Sequence, residues 1–428
     1  MSYIKKNLSL FVLIFGIFGY LLAIMLHSTQ WDLASPPFFY QIIILLKTTF
    51  ISMLKMLIAP MIFFSLLAGI ISIGEVSKLK TMGKTTILYY LSTTIIAIII
   101  GLTCVKFIHP WTKYNTKINI QNAKVQKQYN YKQPSKLIDT KNTSITKLFT
   151  NLSKQSFTNP FKALATTNIL GIVVSALLIG LALLIVHVEN SLLYELINDI
   201  NKVIYKILHW FILTTPIGVF AIIFDFKTKV SGDIFTQLLS FCLLVLGATF
   251  IHGLIVLPLI AKIFGGVELK SFFKKISKPM LLAISTSSSS ATLPVSMQTC
   301  EEEFNVDKAV SAFVLPLGAT MNMDGTALFE GIAAIFLAYL FNIPLSSISV
   351  FAIFFMAMIS SIGAPGMPSG SMAGMQMVLL AAGIPIEAIG ILLVIERPLD
   401  TFRTAVNVEG DIVGAIVTQH QFQKNSSH

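Results

Sequence analysis

The sequence has few charged residues for its length. Only 12% of its 428 residues are Asp, Glu, Lys or Arg, whereas 54% are hydrophobic and the mean hydropathy is +0.78. A soluble globular domain carries about 25% charged residues. The composition therefore excludes an ordinary water-soluble protein and predicts that a lipid bilayer surrounds much of the chain.

The sequence also lacks the patterns of metal centres, disulfide frameworks and hydrolases. Its three cysteines, Cys104, Cys242 and Cys300, are far apart and form no C-x-x-C or Cys/His cluster. No G-x-S-x-G motif is present, and no histidine lies between residues 270 and 417 to serve as a base for a nucleophile. We therefore expect neither an enzyme nor a bound cofactor.

The net charge of +11 is not a sign of nucleic-acid binding. The lysines lie in loops between apolar runs, without interleaved aromatic residues that would form a stacking platform. Lysine-rich loops at residues 78–84 and 262–278 are typical of the cytoplasmic side of a membrane protein, which also places the N-terminus in the cytoplasm.

Apolar runs that are long enough to cross a bilayer, about 20 residues each, recur along the chain. The first run begins after Lys5 and Lys6 but is not followed by a small-residue cleavage site, so we predict a retained membrane helix rather than a signal peptide. The runs cover residues 8–27, 39–73, 85–109, 167–188, 198–225 and 234–263.

The stretch from 110 to 160 is rich in Lys, Asn, Gln and Thr and has little apolar periodicity. This composition predicts a mobile extramembrane loop. Alternation of the spans places the loop outside the cell, whereas its lysines favour the inside, so the sequence leaves its sidedness open.

After residue 270 the apolar segments are interrupted by small residues and prolines, at 287–294 and again at 363–370. A helix with polar residues follows each interruption. Irregular backbone inside a membrane must be buried or line a cavity. Two such halves are typical of a transporter that is built from repeats and binds its substrate near the middle of the membrane.

The last apolar segment contains the densest group of charges. At 100° per residue, six of its polar side chains share one face of a helix about 100° wide, whereas Glu409 points away. Each charge costs about 2.5–3.5 kcal/mol at the bilayer centre, so the face is either a binding surface or part of a solvated helix at the interface. The six residues are Glu396, Asp400, Arg403, Thr404, Asn407 and Asp411.

Two further polar groups interrupt apolar sequence. Asn322 and Asp324 offer the oxygen atoms that hard cations prefer, but they face opposite sides of a regular helix. One ion between them requires a broken helix; otherwise they serve different sites or form only a polar kink. The serines at 287–290 suit a carboxylate at a helix N-terminus, although serine runs are more often linkers.

Together these motifs resemble the glutamate transporter family, the dicarboxylate/amino acid:cation symporters. The resemblance is carried by SSSATLP at 288–294, NMDGT at 322–326 and D-x-x-RT-x-x-NV-x-GD at 400–411. It extends over nearly the whole chain, because residues 54–65, 159–161 and 215–221 also match the family pattern.

The resemblance implies an all-α multi-pass membrane protein with inverted repeats, eight transmembrane helices and two re-entrant helical hairpins whose tips lie near 288–290 and 366–369. It also implies a homotrimer in which a transport domain moves like an elevator against a fixed scaffold. The scaffold is expected at about 8–73 and 167–225 and the transport domain at about 85–109 and 234–417, with a tail at 418–428.

The resemblance further implies import of L-glutamate or L-aspartate. In this family pattern Asp400 receives the substrate amino group and Arg403 its side-chain carboxylate, for which a guanidinium is well suited. The neutral amino acid carriers of the family lack an arginine at this position. The other substrate residues implied are Ser288, Ser289, Thr326, Met367, Arg397, Thr404 and Asn407.

Sodium ions, protons or both are implied as the coupling ions. Glu330 stands where proton-coupled members carry a glutamate, so we hypothesise that it carries a proton. Ser371, Pro365 and Glu396 depart from the family pattern. The implied sodium ligands are Gly318, Asn322, Asn407 and Asp411 at one site, Tyr90, Thr93, Thr94, Asn322 and Asp324 at a second, and Thr320, Ser361, Ile362 and Ala364 at a third.

Several alternatives remain open at this point. A C4-dicarboxylate carrier of the same family would also bind two carboxylates, but it would leave Asp400 without an ammonium group. A neutral amino acid symporter, a substrate-gated anion conductance and a membrane receptor are the others. We expect the inner membrane of a bacterium as the location.

Overall fold

In a computed structural model, the part of the chain that is described is helical and contains no strand. The described residues are 8–26, 35–74, 80–113, 153–154, 156–166, 168–186, 192–229, 234–363, 366, 370–385 and 388–426. Most of the polar loop predicted at 110–160 lies outside them, as do Ala364, Pro365 and Met367.

The apolar runs predicted from the sequence coincide with long helices. The first part of the chain forms α1 Leu8–Met25, α2 Phe38–Gly74, α3 Lys80–Ile108, α4 Pro160–Thr166, α5 Ile169–Val186, α6 Leu192–Leu213 and α7 Thr215–Lys229. The second part forms α8 Ile234–Ile251, a π-helical segment His252–Val256, α9 Leu257–Gly265, α10 Leu269–Thr286, α11 Ser289–Glu303, α12 Lys308–Met321, α13 Asp324–Leu340, α14 Ser347–Gly363, α15 Ser371–Ala382 and α16 Ile389–Ser426.

Three continuous stretches among the described residues are long and apolar enough to cross a membrane, namely Met82–Ile108, Thr236–Gly265 and Lys308–Leu340. A fourth results if Leu192–Phe211 and Thr215–Asp225, which meet at a bend of 56°, are taken as one span. These stretches fit a bilayer by length and composition.

The interruptions predicted from the sequence separate consecutive helices. Between α10 and α11, Ser287 has a positive φ of 49° and Ser288 is extended, and the Ser288 hydroxyl accepts a hydrogen bond from the Ala291 N–H. Between α12 and α13, Asn322 and Met323 leave the helical conformation. Each break frees backbone groups in the interior, as a membrane binding site requires.

The helices pack in two groups. In the first, α1 packs on α7, and α2 packs on α5, α6 and α7. In the second, α3 and α9–α13 pack around the long helix α16, and α14 packs on α15. Helix α2 also touches α12, α14 and α15, so the two groups are in contact. The C-terminal residues predicted as a tail continue α16 as far as Ser426.

A partly buried ion pair joins α2 to α7 within the first group. Lys47 Nζ lies 2.6 Å from Asp225 Oδ2, and Tyr40 donates a hydrogen bond of 2.5 Å to Asp225 Oδ1. Both carboxylate oxygens of this buried aspartate therefore have a donor. A buried charge is tolerated when it is paired and hydrogen-bonded in this way.

Close packing of α7 on α2 depends on Gly218. A Cβ atom added to Gly218 would lie 2.3 Å from the ring of the buried residue Phe50. We expect Gly218→Ala to lower the free energy of unfolding by about 1–3 kcal/mol, the usual cost of overpacking. Thermal unfolding of the purified protein in detergent would measure this loss.

Gly247 in α8 is the matched control, because nothing lies within 4 Å of a Cβ atom added there. Gly247→Ala should leave the midpoint of unfolding unchanged or raise it, since alanine favours a helix. Equal midpoints for the two variants would contradict the assigned packing of α7 on α2.

Candidate functional site

The polar face predicted on the last helix is buried where α16 meets the break between α12 and α13. The two elements approach closely at Gly325, where an added Cβ atom would lie 2.7 Å from the backbone oxygen of Arg403. The Gly325 N–H donates a hydrogen bond of 2.8 Å to Asn407 Oδ1. The face is therefore inside the protein, which argues against a solvated helix at the interface.

Arg403 is fully buried at the centre of this region. Its Nη2 atom lies 3.1 Å from Glu396 Oε1 and 3.0 Å from Asp400 Oδ1, and its guanidinium lies 4.0 Å from the centre of the Phe329 ring. The Nε and Nη1 atoms have no hydrogen-bond partner within the described residues. A buried cation with unpaired N–H groups is costly unless an anion supplies the missing acceptors.

Asn322, in the break between α12 and α13, is held by two helices. Its Nδ2 atom donates a hydrogen bond of 3.0 Å to Asp411 Oδ1 on α16, and Thr93 on α3 lies 3.3 Å from its Oδ1 atom. An added Cβ atom at Gly318 would lie 2.4 Å from Asp411 Oδ1 and 2.6 Å from the Tyr90 hydroxyl. Four of the predicted cation ligands of this region thus surround the break.

Asp324, at the start of α13, faces a different set of partners. Thr94 donates a hydrogen bond of 2.6 Å to Asp324 Oδ1, and His252 Nε2 lies 3.0 Å from Oδ2. Asn322 and Asp324 therefore sit on either side of a broken helix. They share α3 as a neighbour through the consecutive residues Thr93 and Thr94.

The tips of two helix pairs meet beside this region. The first pair is α10 and α11, and the second is α14 and α15. Ser288 donates a hydrogen bond of 2.7 Å to the backbone oxygen of Gly366, and the Ser290 N–H donates one of 3.0 Å to the same oxygen. The predicted hairpin tips at 288–290 and 366–369 thus touch at Gly366, the residue of the second tip that the structure describes.

Glu330 is buried on α13 and faces the second pair. Ser360 donates a hydrogen bond of 2.8 Å to Glu330 Oε1, whereas Oε2 has no partner among the described residues. Gly374 makes room for both, because an added Cβ atom would lie 2.5 Å from Glu330 Oε1. On the same helix pair, Ser371 donates a hydrogen bond of 3.3 Å to Glu396 Oε1.

Two departures from the family pattern are therefore in contact with each other. Glu396 and Ser371 both differ from the expected residues, and the serine hydroxyl reaches the glutamate oxygen that also accepts from Arg403. The two changes link the start of α15 to the buried arginine.

Not every predicted site residue joins the cluster. Ser289 and Thr404 are buried in the region, whereas Arg397 is only partly buried and makes no hydrogen bond or ion pair with the described cluster residues. Thr320 and Ser361 donate to the carbonyls of Leu317 and Met358 in their own helices, at 3.0 Å and 2.8 Å. Asn407 contacts Thr326, whose Oγ1 atom lies 3.4 Å from its Nδ2 atom.

Sequence reasoning missed three contributors to the region. His252 lies within the apolar run of 234–263, where an ionisable residue marks a functional position in a membrane protein, so its signal was present. Phe329 and Ser360 occupy ordinary apolar and small-residue positions. Their contacts with Arg403 and Glu330 come from the folding of distant segments, and nothing in the local sequence marks them.

Comparison with known proteins shows the family to which the chain belongs. A family model described as the sodium:dicarboxylate symporter family matches residues 8–421. An excitatory amino acid transporter of Caenorhabditis elegans is 30% identical, covering 98% of this chain and 88% of that protein. A neutral amino acid transporter B(0) of Bos taurus is 30% identical over 88% of this chain and 72% of that protein. Excitatory amino acid transporter 3 of Mus musculus is 32% identical over 87% of this chain and 78% of that protein.

The buried charges, the broken helices and the apolar spans define a multi-pass membrane transporter rather than an enzyme. The chain belongs to the sodium:dicarboxylate symporter family, which confirms the family predicted from the sequence. The relatives named here are animal proteins, so the bacterial inner membrane stays a prediction.

Asp411 provides a test of the sodium site. Asp411→Asn removes a buried charge that faces Gly318, Tyr90 and Asn322. We expect the variant to lose the increase in thermal stability that sodium gives the wild type, because a ligand stabilises only a state that binds it. Melting in sodium chloride and in choline chloride would measure the difference.

Glu409 is the matched control, since it lies two residues away on α16 and points towards Gly253 instead. Glu409→Gln should keep the dependence on sodium. If Asp411→Asn kept it and Glu409→Gln lost it, the assignment of the cation site to the α12–α13 break would be wrong.

Proposed function

We propose that this symporter imports an acidic amino acid, L-glutamate or L-aspartate, together with sodium ions. The observation that carries the proposal is the buried guanidinium of Arg403. Its Nε and Nη1 atoms lack partners among the described residues, while Nη2 is held by Glu396 and Asp400. A substrate carboxylate would supply the missing acceptors, and the relatives include transporters of excitatory amino acids.

The charges of the region support coupling to cations. Glu396, Asp400, Asp324 and Asp411 are buried carboxylates, and Arg403 is the guanidinium among them. An acidic amino acid adds another net negative charge to this interior. Because unbalanced charge in a low-dielectric region is costly, substrate binding is favourable only when cations enter as well. This mutual dependence is the coupling free energy between sites.

The oxygen atoms around the break suit two sodium ions. One is proposed near Gly318, Asn322, Asn407 and Asp411, and another near Tyr90, Thr93, Thr94, Asn322 and Asp324. Carboxylate, amide, hydroxyl and backbone oxygens are the ligands that hard cations take. The hydrogen bonds between these groups would be exchanged for bonds to the ion.

The amino group of the substrate fits Asp400, whose carboxylate shares Arg403 Nη2 with Glu396. A dicarboxylate without an amino group would gain the arginine but would leave this aspartate without a new partner. A neutral amino acid would satisfy Asp400 but leave the Arg403 nitrogens unpaired. A dicarboxylate thus leaves Asp400 without a partner from the substrate, and a neutral amino acid leaves Arg403 without one. The uptake experiment below distinguishes both from an acidic amino acid.

We further propose an elevator mechanism in a homotrimer, as the resemblance to the family implies. The first helix group would be the scaffold, and the second, built around α16, would carry the site across the membrane as the transport domain. In this proposal the two helix pairs are re-entrant hairpins and the remaining long helices make eight membrane spans. The contact between Ser288 and Gly366 would be the closed state of their tips.

Glu330 is proposed as a proton carrier. Burial disfavours a charged carboxylate that has few donors, and here Ser360 is the donor that the structure provides. A proton on the free oxygen would remove the charge, so that the carboxyl group could cross the membrane with the moving helices.

Substitution of each of the two arginines of α16 tests whether Arg403 binds the substrate. We expect Arg403→Ala to lower uptake of labelled L-aspartate into liposomes about 30- to 150-fold, since it removes a charge-assisted contact of about 2–3 kcal/mol with the substrate carboxylate. Arg397→Ala should retain most of the uptake, because its side chain is partly exposed.

Unlabelled succinate, alanine and chloride serve as competitors in the same assay. Stronger competition by succinate or alanine than by L-glutamate would replace the proposed substrate with a dicarboxylate or a neutral amino acid. Flux that does not saturate and does not accumulate against a gradient would indicate a channel instead.

Glu330→Gln tests proton coupling. The glutamine keeps the hydrogen bond from Ser360 but cannot exchange a proton, so a pH gradient should no longer drive or accelerate uptake, while a sodium gradient still does. Uptake would be measured with each gradient imposed separately. If the wild type itself ignores the pH gradient, Glu330 is a packing residue and sodium alone supplies the coupling.

A further inference from the structure

A groove with a volume of about 350 Å³ opens between the two helices of the first pair, at the end away from their tip. Lys274 and Lys278 line it from α10, and Gln298, Glu302 and Glu303 line it from α11. This groove lies apart from the candidate site, and neither the family nor the proposed function assigns it a role.

The oppositely charged side chains of the groove do not pair with one another. Within residues 234–363, all of which the structure describes, no lysine of the groove forms an ion pair with a groove carboxylate. Gln298 stands between them: its amide oxygen lies 3.5 Å from Lys278 Nζ, and its amide nitrogen donates bonds of 3.1 Å to Glu302.

Two charges of the groove have no partner among the described residues, the ammonium of Lys274 and the carboxylate of Glu303. Lys275, by contrast, donates a hydrogen bond to the backbone oxygen of Glu303 and lies 5.0 Å from the centre of the Phe304 ring. Its ammonium group is therefore already bound at the end of α11. The lysines of α10 and the glutamates of α11 thus face the same groove. Lys274 could bind an anionic group there, and Glu303 a cationic one.

The groove follows closely in the chain after an apolar stretch that is long enough to cross a membrane. Helix α10 begins at Leu269, just after the apolar stretch Thr236–Gly265 ends. Its outer surface carries exposed apolar side chains beside the lysines, with Phe273 39% and Leu281 66% exposed. Lysines beside an apolar surface at a membrane boundary place their ammonium groups among phosphates.

We propose that the groove binds the head group of a zwitterionic phospholipid with a primary ammonium, phosphatidylethanolamine. Its phosphate would lie between Lys274 and Lys278, its ammonium would donate to Glu302 and Glu303, and its acyl chains would follow Phe273 and Leu281. The primary ammonium has three hydrogen-bond donors, as a lysine has, whereas the trimethylated ammonium of phosphatidylcholine has none. An anionic head group would gain the lysines but meet the two glutamates.

The test is titration of the purified full-length protein in detergent with phosphatidylethanolamine, phosphatidylcholine and phosphatidylglycerol, read by native mass spectrometry. Phosphatidylethanolamine should bind most tightly. Lys274→Gln and Lys278→Gln should each weaken it about fivefold, the contribution of one lysine near a membrane surface. Lys270→Gln, on the same helix but outside the groove, is the matched control and should change little.

Substitution of the glutamates provides a second test, in which the affinities for two lipids should change in opposite directions. Glu302→Gln and Glu303→Gln should weaken phosphatidylethanolamine and strengthen phosphatidylglycerol, because they remove the ammonium partners and the repulsion of an anion together. Tighter binding of phosphatidylglycerol to the wild type would overturn the proposal in favour of an anionic lipid site.

Two further outcomes would also overturn it. Equal binding of free phosphoethanolamine or inorganic phosphate would show a site for a soluble ion rather than a lipid. An equal loss with Lys270→Gln would show general surface charge rather than a groove.

Discussion

The structure is organised around charged groups that have been taken out of water on α16. Arg403 is surrounded by Glu396, Asp400 and the Phe329 ring, and Asp411 is held by Asn322. Inside a membrane each of these groups must find its partners within the protein. Glu396 and Asp400 lie on α16 itself, whereas Phe329 comes from α13 and Asn322 from the break between α12 and α13. This explains why α12 and α13 pack around α16 and why glycines occur at the points of closest approach, such as Gly318 and Gly325.

The same constraint explains where the helices break. A continuous helix uses its own backbone groups and offers an ion only side chains, and Asn322 and Asp324 would then face opposite ways. The break at residues 322–323 turns both towards α3, so that Thr93 and Thr94 reach one each. At 287–288 the break gives a helix start whose serines bind Gly366 of the other pair. At both breaks, the contacts that the broken helix allows offset the loss of backbone hydrogen bonds within the helix.

The sequence predicted the elements and the family better than it predicted the partners. Apolar runs fixed the long helices, and the motifs at 288–294, 322–326 and 400–411 marked the segments that converge, because polar residues inside apolar sequence are rare and easily seen. The sequence did not show which of these side chains are in contact with each other. Glu396 was noted as a departure from the family pattern, but its bond to Ser371 depends on how the second helix pair docks against α16. His252 was overlooked because a single histidine in an apolar run has no motif around it, although its contact with Asp324 crosses 72 residues of sequence.

In the proposed mechanism, Arg403 links the substrate, the cations and the position of the second helix pair. Glu396 Oε1 accepts from both Arg403 and Ser371, so any anion that draws the guanidinium towards itself changes the contact with the start of α15. At the same time the carboxylates on the other side of the region repel that anion until cations neutralise them. In this proposal, binding of the anion, entry of cations and the position of α15 depend on the same few buried charges. A transporter needs such a dependence, because a site whose gate and ligands responded independently would let each ion cross alone.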